Sequence, residues 1–302
     1  MLVILTVSSL LWITKCPNIN IFAKIQTAPK GSRLLMETSL TIYHHLKTIV
    51  TNIFRTLKLK DREYPKGRRP KLTNTEATTC VILKQRQNIA TKKSLWEIVE
   101  APLSYNRFVV ALNRTGKYLA HIINAILQLL GKSSHPLKFT DSTDIPVCLN
   151  KNGKRHRTMK GLAAWSKTGK GWFYGLKLHL TSDVTGKCLA LKLTPGGSDD
   201  RSIFRQMNEK LRGLFVADAG YVSEKLQQDF FLDGERWLLT AVRANMKKLA
   251  TDLEIALVRL RMRIEIHFRV LKSSYGLVTS FPRSIDGYLT HYLASIATHL
   301  LN

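Results

Sequence analysis

Three acidic residues, far apart in the chain, have the setting that divalent-cation chemistry needs. Asp141 and Asp218 each stand where a short apolar run, PLKFT and GLFVA, gives way to a turn. Glu265 lies in LVRLRMRIEIHFRVLK, residues 257–272. Hard carboxylate oxygens suit Mg²⁺ or Mn²⁺, and a gathered carboxylate set is what two-metal phosphodiester chemistry requires. Around Glu265, the residues Arg261, Arg269 and Lys272 recur at steps of four, four and three, so all four charges share one helix face. Taken alone, that face also fits a solvated ion-pair ladder.

Other acids compete for these roles. Asp144, three residues after Asp141, reads as a supporting partner. Asp199 and Asp200 open a helix, where capping is the ordinary use of aspartate. Asp183 sits in a hairpin turn, an equally ordinary place. Cys16, Cys80, Cys148 and Cys188 have no metal-ligand spacing, and the nine histidines show no zinc pattern. Reduced thiols are the expectation.

From His135 onward the chain alternates short strands and helices. A strand ends on Asp141; GWFYGLKLHLTSD and KCLALKLTPG form a hairpin around Thr185-Gly186. SDDRSIFRQMNEKLRG reads as a helix capped by Ser198 or Asp199, GLFVADAGY as a strand ending on Asp218. SEKLQQDFFLDG is helical, ERWLLTAV a strand, and residues 249–273 one long helix. Along that helix Leu253, Leu257, Leu260, Ile264, Phe268 and Leu271 make a stripe to be buried. The order predicts an α/β fold, a mixed sheet flanked by helices. The strand bearing Asp218 should lie parallel to and beside the strand bearing Asp141, with the long helix packed across that end.

Between the first strand and the hairpin runs KNGKRHRTMKGLAAWSKTGKG, residues 151–171, a polar loop with seven Lys and Arg residues, among them Lys154, Arg155 and Arg157. Trp165 and Trp172 flank it, and either fits stacking on an unpaired base. For Trp172, which opens a strand, packing is the more ordinary use.

Residues 36–130 read as a small all-helical domain. It contains an amphipathic helix over 36–59, a helix begun by Thr73 with Glu76 completing a capping box, and the segments KKSLWEIVE and SYNRFVVALNRTGKYLAHIINAILQLLG, the last stopped by Gly131. Trp96 and Phe108 are expected in its core. A helix-turn-helix with its recognition helix starting at Ser104 fits this pattern, as do helix pairs that bind nothing. The linker LKLKDREYPKGRRPKL carries Arg68 and Arg69 and suits either phosphate contact or a solvated loop.

Lys and Arg number 47 against 21 acids, a net charge of +26. So large an excess, spread along the chain, predicts a polyanionic partner, nucleic acid first. A membrane surface is disfavoured because no long amphipathic basic helix is evident. Residues 1–35 are apolar from Leu2 to Thr14, too short to span a bilayer and without a basic lead; they read as a dispensable extension ahead of Met36.

The sequence resembles insertion-sequence transposases of the DDE superfamily, which have an RNase H-like catalytic core. FTDST, VADAGY and RLRMRIEIHFRVLK stand in order at that family's three acidic motifs. The family's arginine four before the glutamate and lysine seven after it are matched by Arg261 and Lys272. Val258 and Ala219 depart from a tyrosine and a lysine that the family often carries. The resemblance implies a catalytic domain over 131–302 in which Asp141, Asp218 and Glu265 hold Mg²⁺ or Mn²⁺. Arg261, Lys272 and Arg269 would hold DNA phosphates. It further implies double-stranded DNA as partner (terminal inverted repeats and target), a homo-oligomer on DNA, no membrane, and a cytoplasmic, nucleoid-associated location in a bacterium. A metal-dependent nuclease on the same core, or a DNA-binding protein without catalysis, would share these features.

Overall fold

The computed structural model describes residues 33–62, 70–232, 234, 236–241, 251–278 and 281–302. Arg68 and Arg69, and the proposed extension up to residue 32, lie outside them. The chain divides into two compact units, 1–122 and 123–302.

The first unit is helical: α1 (Arg33–Thr56), α2 (Asn74–Arg86), α3 (Lys92–Ile98) and α4 (Tyr105–Asn113), with α5 (Gly116–Lys132) running across the boundary. Thr73 and Glu76 form the expected capping box at the start of α2. Leu46, Val50 and Phe54 of α1 are buried, as are Val81, Ile82, Leu95 and Phe108. Trp96 is only half-buried and donates its indole N–H to the carbonyl of Leu103. The segment expected as one helix up to Gly131 is two. The chain turns at Arg114–Thr115, where the Leu112 carbonyl accepts from both the N–H and the hydroxyl of Thr115.

The second unit is built on β1 (Leu137–Pro146), β2 (Ala164–Thr168), β3 (Gly171–Asp183), β4 (Cys188–Pro195), β5 (Gly213–Ala217) and β6 (Arg236–Thr240). Its helices are α6 (Asp200–Met207), α7 (Glu224–Leu232), α8 (Asp252–Leu260), α9 (Arg263–Arg269) and α10 (Ile285–Leu300). β3 pairs antiparallel with β1 on one side and with β4 and β2, end to end, on the other. β5 lies parallel between β1 and β6. This is the mixed, RNase H-like sheet flanked by helices that the element order predicts.

Phe204 of α6, Phe230 of α7, Phe215 of β5 and Tyr221 form an aromatic core on one side of the sheet, with Phe204 edge-on to Phe215 at 5.8 Å. α9 packs on β1 and β3.

Three expectations are corrected. β1 does not end on Asp141: it continues to Pro146, still paired with β3, because only its β5 partner stops. The basic loop is not all loop: Asn150–Arg155 is a 3₁₀ turn and β2 forms a second hairpin with β3. The long helix over 249–273 is broken. At residues 261–265 the bonds shorten to i→i+3, with Ile264 N–H donating to Arg261 O and Glu265 N–H to Met262 O. Further on, Val270–Ser274 is a π-helical turn. The stripe is accordingly buried only in its second half. Ile264, Phe268 and Leu271 are buried, whereas Leu253 is 70% and Leu260 38% exposed.

Candidate active site

Parallel pairing of β1 with β5 sets Phe139 opposite Val216. Two residues further along each strand come Asp141 and Asp218, at equivalent positions where the two strands part. The two carboxylates repel each other, and that repulsion adds to the rise in the pKa of Asp141. Burial is the larger cause. Together they outweigh the lowering by Arg261 and by the Ser142 N–H, and raise it to about 6. Asp218 caps the short 3₁₀ turn Ala219–Tyr221, accepting from the Gly220 N–H at 2.8 Å. Tyr221, buried just beyond, has its phenol held neutral by burial and by Asp200, Asp141 and Asp218.

The third motif reaches the same place through Arg261. Its guanidinium donates to Asp141 Oδ2 at 2.5 Å and lies 4.0 Å from Glu265 Oε1. Arg261 and Asp141 are each 18% exposed, Glu265 50%. Lys272 pairs with Asp144 at 3.1 Å instead of with Glu265. The ladder expected along one helix face is thus reduced to its first rung. The tight turn after Arg261 and the π turn around Lys272 rotate those side chains off the common face and toward β1. Arg269 is exposed.

Cation binding fits this donor chemistry: two carboxylates held side by side, one of them destabilised as an anion by burial and by its neighbour. Among the described residues, no group of three acidic, histidine or cysteine side chains stands ready to hold an ion. Arg261 lies between Asp141 and Glu265, 2.5 Å from the one and 4.0 Å from the other. The sequence pointed to the pairing of Lys272 and Arg261 with Glu265; it gave no signal for Tyr221, because an aromatic residue after a strand is ordinary core.

The competing acids are structural. Asp183 accepts from the N–H groups of Thr185, Lys187 and His135 in its turn. Asp199 caps α6, and Asp200 pairs with Lys177 at 2.9 Å. Lys154, Arg155 and Arg157 are exposed at the rim of an open hollow, and Trp172, expected to pack, is 59% exposed. No helix among the described residues is long and apolar enough to cross a membrane.

No curated protein matches the sequence. A crystal structure of a pre-cleavage Mos1 transpososome is similar at 12% identity over 80% of each chain, with a TM-score of 0.20, a likeness too low to carry an argument. The family described as the transposase DDE domain matches residues 132–284, half of the chain and the whole stretch that holds Asp141, Asp218, Glu265 and the sheet beneath them. This chain belongs to the DDE-domain transposases.

Proposed function

We propose that the protein cleaves phosphodiester bonds at the ends of a mobile element and joins those ends to target DNA, with Asp141, Asp218 and Glu265 as the residues that hold Mg²⁺ or Mn²⁺. The supporting observation is the equivalent placement of Asp141 and Asp218 on adjacent parallel strands, with Arg261 and Glu265 over them. When bound, the divalent cations supply Lewis acidity for the attacking hydroxyl and charge neutralisation for the leaving oxygen.

The chain's own residues do the rest. Asp141, with a pKa of about 6, is ionised at neutral pH. Arg261 neutralises it before DNA arrives, then turns its guanidinium to a phosphate of the bound end, freeing Asp141. Lys272, fixed by Asp144, and the exposed Arg269 extend that phosphate contact. Lys154, Arg155 and Arg157 provide a second basic surface, and Arg68 and Arg69 of the linker a third. The helical unit reads the terminal repeats, two copies of the chain hold the two ends, and the work is done in the bacterial cytoplasm at the nucleoid.

The test is a strand-transfer assay with a labelled 3′ end carrying the element's terminus, with and without Mg²⁺, for the wild type and for Asp141→Asn, Asp218→Asn and Glu265→Gln. Joined products that need the cation and all three carboxyls support the proposal. Hydrolysis without joining indicates a nuclease. Binding without either reaction, unchanged by the substitutions, indicates a DNA-binding protein.

A further inference from the structure

We infer that the catalytic unit has a second nucleic-acid site, a hollow that takes one unpaired nucleotide of a DNA strand. The inference rests on the DNA reading above and deepens it. The hollow measures about 590 Å³ and is open to solvent on one side. That volume falls within the range of small-molecule pockets, about 300–1,000 Å³. Lys154, Arg155, Arg157 and Lys160 supply four cations around it, and among the described residues none that lines it is acidic. A phosphate-bearing ligand is what such a rim attracts.

Its wall is aromatic. Trp165 stands against Tyr174, ring centres 5.5 Å apart, and remains 38% exposed. The indole is seated on Gly153: a Cβ there would fall 2.4 Å from Trp165 Cζ2 and 3.1 Å from Tyr174 Cβ. Only glycine leaves the backbone bare enough for the ring to lie down, so the platform is built by the sequence at both ends. His156 completes the wall, its ring placed by Tyr174 at 6.0 Å and Tyr288 at 6.1 Å. Its Nε2 is buried without a hydrogen-bond partner among the described residues, a group that a polar ligand atom would satisfy.

Cations beside an indole platform select a base that shows its face. Bases inside a duplex are covered by their neighbours, so the ligand is an unpaired nucleotide. The hollow is also within reach of the candidate carboxylates. Val147 N–H bonds to Tyr174 O at 3.0 Å, which places the platform six residues beyond Asp141 along β1. Six strand residues span about 20 Å. A few unpaired nucleotides leading from the carboxylates reach it.

The experiment uses the full chain without divalent cations. Fluorescence anisotropy compares a blunt duplex, the same duplex with a short unpaired tail, and that duplex with an abasic tail. A 2-aminopurine in the tail reports stacking on the indole. The base-bearing tail should bind about fivefold tighter or more than the abasic one, with its fluorescence quenched. Trp165→Leu should remove both effects and Trp165→Phe retain most of each, while Lys160→Gln weakens every tailed substrate alike. Equal affinity for tails with and without bases overturns the proposal, as does an advantage that survives Trp165→Leu. Loss of all DNA binding by the wild type would overturn the DNA reading as well. Duplex binding with no preference for the base-bearing tail would overturn the nucleotide site alone.

Discussion

Arg261→Ala separates two demands on one carboxylate. In the DNA-free protein Arg261 neutralises Asp141 across 2.5 Å, with both side chains 18% exposed. Opposite unit charges about 4 Å apart attract by about 4 kcal/mol at an effective dielectric of about 20. Desolvation offsets part of this, and Arg261 Nε is buried without a partner among the described residues, so the net hold is about 2 kcal/mol. On the function proposed above, a divalent cation held by Asp141 and Asp218 would have to displace that hold. Removing the guanidinium should therefore tighten Mn²⁺ binding about 30-fold, while DNA-end binding weakens. Titration calorimetry on the DNA-free protein at about pH 8, where Asp141 is ionised, reads the first effect, and anisotropy reads the second. Mn²⁺ binding that is unchanged or weaker in Arg261→Ala would refute the reasoning. The pH dependence has a fixed sign. The native state raises the pKa of Asp141 from 3.8 to about 6, so it favours the neutral carboxyl. That contribution to stability is full below pH 3.8 and is lost as pH rises through about 6. Mn²⁺ affinity runs the other way and falls as pH drops through about 6, because a proton then has to leave.

Further substitutions test the frame that holds the carboxylates. Thr181→Val removes the hydroxyl that bonds both Thr140 and Asn208 Oδ1, each at 2.8 Å, in fully buried surroundings next to Asp141. It should cost about 1–3 kcal/mol, read as a lower urea midpoint at unchanged m. Gly213→Ala places a Cβ 2.3 Å from the Pro136 carbonyl at a φ of +104°. A loss of about 2 kcal/mol or more is expected, with cleavage falling too, because the same residue starts the strand that leads into Asp218. Thr73→Ala removes the capping box of α2 and should cost about 1 kcal/mol. Amide exchange should show faster opening in α2 and α1 than in the sheet.

Much of the second unit was legible because its signals are local. Period-two alternation identified β3 and β4, and the Thr185-Gly186 turn between them has the positive φ of 88° that glycine supplies. Apolar runs identified β1, β5 and β6. β2 was not legible: AWSKT lacks an apolar face and is a strand only because β3 offers it an edge. The helix over 249–273 was misread for a related reason. Periodicity records which residues can share a face, but among the described residues nothing covers Leu253 and Leu260 enough to bury them.

Residue types and order alone determined the acidic candidates, the basic excess, most of the strands and helices of the second unit, and the family. They did so because hydrophobic period, turn chemistry and net charge are properties of neighbouring residues. Only the tertiary structure decided that Asp141 meets Arg261, that Lys272 turns to Asp144, and that Trp165 lies on Gly153. Those contacts join residues that folding alone brings together, and a tight turn or a single π turn is enough to redirect a charge that regular helix geometry would have sent elsewhere.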